Sequence, residues 1–394
     1  MKANNNMKLS IKSILIIFII PLIFLGCSEK KEPLSTIDTI RDAYWPTFRG
    51  DRNLSGTTDV RLPDEMGLRW SYNTDQSIVS SPVIGFGNVY IGSTDGKVYS
   101  IDLLSGQKVW ETDTGDDIEA SPLLIGQTLY IGNLSGGFFA IDALSGAVRW
   151  ETEISGDIMG SANSADVPDS SEKLVFVGSY DTNMYCFNAE TGDLKWTYET
   201  GDFINGAPAT DGNNVVFGGC DAKLHIISAV DGTKTGEVLV GSYIAGSTAL
   251  VDNRAYLGHY DSKLVCIDLA ELKIVWEYMD EESRGEFFSS PAIGIDRVII
   301  GSRDHSLHCA DIKTGRQLWK FRALDEIDSS PVIASDKVVF GSSDGRLYIL
   351  DIENGNEIWS YEIGASITGC PAVTGGMIVI GAEDGRVYAF GENK

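Results

Sequence analysis

The sequence predicts an all-β protein, an eight-bladed β-propeller of four-stranded antiparallel blades, and three observations carry that expectation. Tryptophans recur at Trp70, Trp110, Trp150, Trp196, Trp276, Trp319 and Trp359, at steps of 40, 40, 46, 80, 43 and 40 residues. A glycine, followed three residues on by an aspartate, recurs eight times in the same register, from Gly92 and Asp95 to Gly381 and Asp384, with Ser135 in place of the aspartate once. The last copy stops one strand short, and the missing strand, Leu68-Arg69-Trp70-Ser71-Tyr72, stands ahead of the first copy. Short strands in a unit repeating every ~40 to 45 residues are the signature of a propeller blade.

Within one unit the strands are expected over residues 78–84, 88–92, 97–101 and 107–112. Each is too short for a helix and is bounded by turn residues. Asp-Gly pairs such as Asp95-Gly96, Asp344-Gly345 and Asp384-Gly385 point to two-residue hairpins of type I′. The 80-residue step hides a degenerate copy with Gly236 in the tryptophan slot. Losing that tryptophan is expected to weaken the contact by ~3–5 kcal/mol, as a large-to-small core substitution would. The strand around Trp70 is expected to complete the blade that ends the chain, which closes the ring and removes a sheet edge.

Each repeated residue has a structural reason. A tryptophan on an outer strand covers a large apolar area of the next blade, and its indole N–H needs an acceptor. Glycine permits close backbone approach, and Asp102, Asp142 or Asp311 can bind turn amides. On the innermost strands, small residues precede pairs such as Ser81-Pro82, Ser121-Pro122, Ser290-Pro291 and Ser330-Pro331. Least volume is available at the axis, and proline is tolerated on a strand edge facing a channel. These serines read as packing residues, not nucleophiles.

The segment Ala140-Ile-Asp142-Ala-Leu-Ser145-Gly146-Ala-Val-Arg-Trp150 resembles the docking motif A-x-D-x-x-T-G-x-x-x-W of propellers with pyrroloquinoline-quinone-like (PQQ-like) repeats. Two further copies end at Trp319 and Trp359, and the opening Trp45-Pro-Thr-Phe-Arg-Gly50 is also similar to the start of such proteins. The resemblance covers the chain from about Trp45 onward. With a lipid-anchor signal and nearly the whole chain spent on the propeller, it extends to the BamB family, lipoproteins of the machinery that assembles outer-membrane β-barrels. That resemblance implies a scaffold that binds the barrel-forming subunit and helps nascent outer-membrane proteins reach it.

The N-terminus reads as an export signal over residues 1–26: Lys2, Lys8 and Lys12, then an apolar run over 14–25, then Gly26-Cys27. The run is shorter than the ~20 residues a membrane-spanning helix needs. Met7 is an alternative start. Phe24-Leu25-Gly26-Cys27 resembles a lipobox, departing from it at Phe24. It implies lipid attachment at Cys27 and a linker over 27–44, with ordinary cleavage beside a free cysteine as the alternative reading. Two or three acyl chains give stable anchoring without a span. Ser28 after the cysteine implies the outer membrane, facing the periplasm or the surface.

The formal net charge is −25, and removing the three leader lysines leaves 28 basic residues against 56 acidic ones. Such a surface repels phosphate backbones, which excludes nucleic acid as the expected partner. Five cysteines remain besides Cys27, so no disulfide framework is implied.

No catalytic, cofactor or metal residues are expected. The competing reading is a quinoprotein dehydrogenase holding PQQ and calcium, but the adjacent cysteine pair typical of those enzymes is absent from this sequence. A third is a periplasmic or surface module for glycans or proteins. His225 and His308 share the slot of Tyr99 and Tyr348, and Cys186, Cys266 and Cys309 that of Ala140 and Ala389, so all five read as packing. What remains irregular is an insertion near residues 165–171 and another within 280–288. Strand counting puts them on opposite faces, and Asp169, Arg284, Phe287 and Phe288 are the candidate partner-loop residues.

Overall fold

The computed structural model describes residues 43–393, and every regular element there is a strand. The leader, Cys27 and the expected linker up to residue 42 lie outside the described residues. Blade 1 runs outward from the axis as Val83–Gly85, Asn88–Gly92, Lys97–Asp102 and Lys108–Asp113. Six more blades repeat that order, their outer strands ending at Glu153, Glu199, Leu239, Tyr278, Arg322 and Glu362. In the eighth, Met66–Asn73 pairs antiparallel with Arg386–Glu392, placing Trp70 opposite Ala389. The ring closes as the sequence predicts.

Two local expectations change. The innermost strand of blade 1 spans only Val83–Gly85 rather than residues 78–84, because Pro82 has no N–H to give and the Ser81 amide binds across to the next blade. The Asp-Gly hairpins are type I turns followed by one glycine at positive φ, not type I′. Gly96 has φ +81° and donates to Ser93 O, while the Asp95 carboxylate accepts the Lys97 amide.

Around the axis the serines do more than pack. The amides of Ser81, Ser121, Ala207, Ser247, Ser290 and Cys370 donate to the hydroxyls of Ser121, Ser161, Ser247, Ser290, Ser330 and Ser81 respectively, each in the next blade. The two junctions without such a bond are those where the next blade offers Ala207 or Cys370 instead of serine.

Farther out, six tryptophans dock on the following blade. The indole N–H groups of Trp70, Trp110, Trp150, Trp196, Trp276 and Trp319 donate to carbonyls of Leu103, Ala143, Ala189, Ala229, Ile312 and Ile352 at 2.8–3.2 Å. A turn glycine lies flat under each ring; a Cβ on Gly146 (φ +76°) would stand 2.8 Å from Trp110. The turns are held by Asp102, Asp142 and Asp311, which accept the amides of Ser105, Ser145 and Thr314. The strand-ending glycines are required by an isoleucine of the next blade: a Cβ on Gly92 would meet Ile118 at 2.3 Å.

The degenerate seam is filled from the other side. Leu272 occupies the turn position that glycine holds elsewhere, with φ +49°, and its side chain lies over Gly236, 2.7 Å from where a Cβ would stand. The full loss of contact expected at Gly236 is therefore corrected. Trp359 faces the blade whose docking turn is replaced by the chain ends, and it is only half-buried, packed on Phe390 at 5.6 Å.

Residues 44–58 form a strap around one face of the ring, bonded to every blade. Trp45 exchanges two hydrogen bonds with Ile84, and the amides of Leu124, Thr210, Leu250, Ile293 and Ile333 donate to Pro46, Arg52, Asn53, Ser55 and Gly56. Blade 3 joins through the Asn163 side-chain amide to Arg52 O, and blade 8 through Thr374 Oγ1, which accepts the Tyr44 amide. The strap satisfies inner-strand amides that would otherwise be an open edge.

Candidate functional site

The strap closes the axial channel at one end. Arg49 points into it, fully buried, donating to the carbonyls of Pro291 at 2.6 Å and Pro331 at 2.9 Å. Burial lowers its pKa, yet a guanidinium keeps its charge under such a shift. Phe48 lies beside it in the channel wall. The other mouth is open, rimmed in seven of the eight blades by the residue two before the axial serine, alanine or cysteine: Val79, Glu119, Met159, Asn205, Ala245, Phe288 and Thr368. This column varies freely while the columns beneath it stay small, which separates a surface for recognition from a scaffold.

The open face is asymmetric. Over blades 3 to 6 it carries aromatic groups: Tyr180 stacked on Phe203 at 4.9 Å, Tyr243 against Tyr260 at 6.0 Å, and Tyr260 against Phe288 at 4.8 Å. Phe203 and Tyr243 are about half exposed, at 45% and 54%, and Leu324 beyond them is 77% exposed. The Arg303 guanidinium covers Phe288, 3.4 Å from the ring centroid, while a two-pronged pair with Asp328 at 3.0 and 2.8 Å holds it in place and raises its pKa. On the other side of the mouth, burial pushes up the Glu119 carboxyl pKa, and the neighbouring Asp117 and Asp157 push it further. Rigid, half-exposed aromatic rings beside fixed charges are the composition of protein-binding patches.

At the blade junctions the repeated aspartates are also structural. Asp95, Asp181, Asp344 and Asp384 accept the hydroxyls of Tyr99, Tyr185, Tyr348 and Tyr388. His225 and His308 replace that tyrosine and bind Asp221 and Asp304 instead.

The four candidate partner-loop residues do not form one surface. Asp169 is exposed in the turn on the strapped face, in a loop whose base is held by an Arg52–Asp166 ion pair at 2.7 Å. Arg284 is exposed on the opposite face and reaches Glu281. Phe288 is at the mouth. Phe287 is a correction: it is buried, 2% exposed, because it fills the slot of Ile118 and its equivalents and presses on Gly258. Residues missed by sequence reasoning are Tyr180, Phe203, Tyr243, Tyr260 and Arg303, which fall in two otherwise variable columns of the repeat. The expectation that no metal ligands converge also changes, since Asp280, Asp304 and His308 offer donor atoms within 4.8 Å of one another. The cysteines among the described residues are free; Cys186, Cys266, Cys309 and Cys370 are buried, and burial raises the thiol pKa of Cys370 to about 11.

Among solved structures, BamB from Moraxella catarrhalis is 22% identical, covering 84% of this chain and 98% of its own, with a TM-score of 0.71. The computationally designed Ika8 protein is 18% identical over 81% of this chain and 98% of its own, at 0.71. Quinohemoprotein alcohol dehydrogenase from Comamonas testosteroni is 14% identical over 89% and 81%, at 0.75. At such identities the likeness is one of fold. No curated protein matches the sequence. The family model for outer membrane protein assembly factor BamB matches residues 63–167, 158–320 and 234–394, so the chain belongs to the BamB family of PQQ-like repeat propellers.

Proposed function

We propose that this protein is a non-catalytic lipoprotein scaffold that binds other proteins during outer-membrane β-barrel assembly, held to the outer membrane through Cys27 and facing the periplasm. The observation that carries the reading is the open face. Its serines, aspartates, glycines and tryptophans are committed to the ring, and what remains free at the mouth is an aromatic sector beside acidic groups. That composition suits protein binding better than the quinoprotein alternative. PQQ is a planar tricarboxylate, and here it would meet Glu119, Asp117 and Asp157, with Arg303 already held by Asp328. The scaffold therefore works without a cofactor. The free mouth accepts extended or folded segments of partner proteins.

Affinity purification of the full-length protein from detergent-solubilised membranes tests this. Barrel-assembly components are expected to co-purify, and Phe203→Ala combined with Tyr243→Ala should reduce their recovery. Recovery of no such component, or a quinone absorbance gained on adding PQQ and calcium, would sink the reading.

A further inference from the structure

We propose that the junction between blades 5 and 6 binds one divalent metal ion through Asp280, Asp304 and His308. The junction between blades 3 and 4 is its internal control, because it carries the same tyrosine, histidine and aspartate. There, Tyr198 OH meets His225 Nδ1 at 3.1 Å, and His225 Nε2 meets Asp221 Oδ2 at 3.0 Å. Both Asp221 oxygens also accept amides, Oδ1 from Lys223 and Oδ2 from Gly201. Asp95 and Asp344 likewise receive, on Oδ2, the amides of Asp75 and Leu324, each five residues past the tryptophan of the preceding blade.

In blade 6 that second donor is gone. The three residues inserted between Trp276 and Pro291 carry the corresponding amide away. The Ser306 amide and His308 Nε2 both reach Asp304 Oδ1, at 2.9 and 3.1 Å, and Oδ2 is left buried with no hydrogen bond of good geometry, the Ser283 hydroxyl lying near the carboxylate, on a side chain only 1% exposed. A buried carboxylate oxygen without a well-aligned donor is a place for a cation or an ordered water. The same irregular loop brings Asp280 over it, at the position held by Thr74, Thr114 and Thr200 in other blades.

The histidine is held in place for such an ion. Tyr278 OH meets Gln317 Oε1 and His308 Nδ1, both at 2.9 Å, which fixes the ring with Nε2 3.1 Å from Asp304 Oδ1. Ligand atoms bound at ~2.0–2.1 Å in a tetrahedron stand about 3.3 Å apart, a spacing close to the one found here. One imidazole and two carboxylates suit Zn²⁺ or Mn²⁺, with Tyr278 fixing the ring from behind. In the metal-free chain the Lys320 ammonium rests on Asp280 as the internal competitor; its side chain is 25% exposed and is long enough to swing into solvent.

Calorimetric titration of the chelator-treated, full-length chain in detergent with Zn²⁺ and Mn²⁺ tests the site. One ion per chain is expected, with affinity falling at least tenfold in Asp280→Asn and in His308→Tyr. The latter restores the Asp–Tyr pair of other blades and so keeps the fold. Lys320→Met should tighten binding, and His225→Tyr should leave it unchanged. Zn²⁺ should raise the melting temperature of the parent chain but not of His308→Tyr. The proposal is overturned if neither the parent nor Lys320→Met binds saturably, if binding survives His308→Tyr, or if His225→Tyr weakens it equally.

Discussion

The seam between blades 4 and 5 does with reversed sizes what its neighbours do with tryptophan. At six seams a large indole from an outer strand lies on a glycine in the next blade's turn, whereas here Gly236 faces Leu272. The requirement at a seam is therefore filled volume between two backbones, and either side can supply it. The exchange is not symmetric in cost. Leu272 takes a positive φ of 49° that glycine adopts freely, and its side chain has no N–H with which to bind a carbonyl across the seam.

The comparison can be broken in stages. The largest effect is expected for Trp110→Ala, which empties a dock and should cost about 3–5 kcal/mol in urea unfolding; a loss below about 1 kcal/mol would mean that the docks do not hold the ring. Next, Gly236→Trp alone should overpack against Leu272 and cost about 1–3 kcal/mol. Adding Leu272→Gly should recover most of that loss by rebuilding the common dock, and additive penalties would refute the reversed-size reading. Smallest is Leu272→Ala, at a residue already 40% exposed, expected to cost about 1 kcal/mol or less. Hydrogen exchange sharpens the point: Lys234–Leu239 should exchange somewhat faster than Lys108–Asp113, and equal protection would show Leu272 to be a full substitute.

Blade number, closure by the strand around Trp70 and the docking role of the tryptophans were legible because each is a column repeated in register. Phe287 could have been read the same way, since it stands in the column of Ile78, Ile118 and Ile327. The strap was not legible, because it is joined largely through backbone carbonyls, which leave no side-chain pattern. The mouth was half legible: its column varies, but that Tyr260, Phe288 and Arg303 pack on one another depends on how two adjacent blades meet. Asp280 and His308 sit on different blades, and only the three-residue insertion hinted that their junction is unusual.

The strap also sets the order in which the molecule can form. Arg49 binds the carbonyl of Pro331, 282 residues away, and the Tyr44 amide binds Thr374, 330 residues away. The first part of the ring to be synthesised thus waits for the last. Contacts this remote in sequence form slowly, since loop closure must precede any gain from them. The strand Met66–Asn73 has no sheet partner until Arg386–Glu392 is available. A chain truncated before Arg386 would forfeit the eighth blade's outer pairing and with it the closure of the whole circle, so half-made copies should be conspicuous substrates for proteolysis.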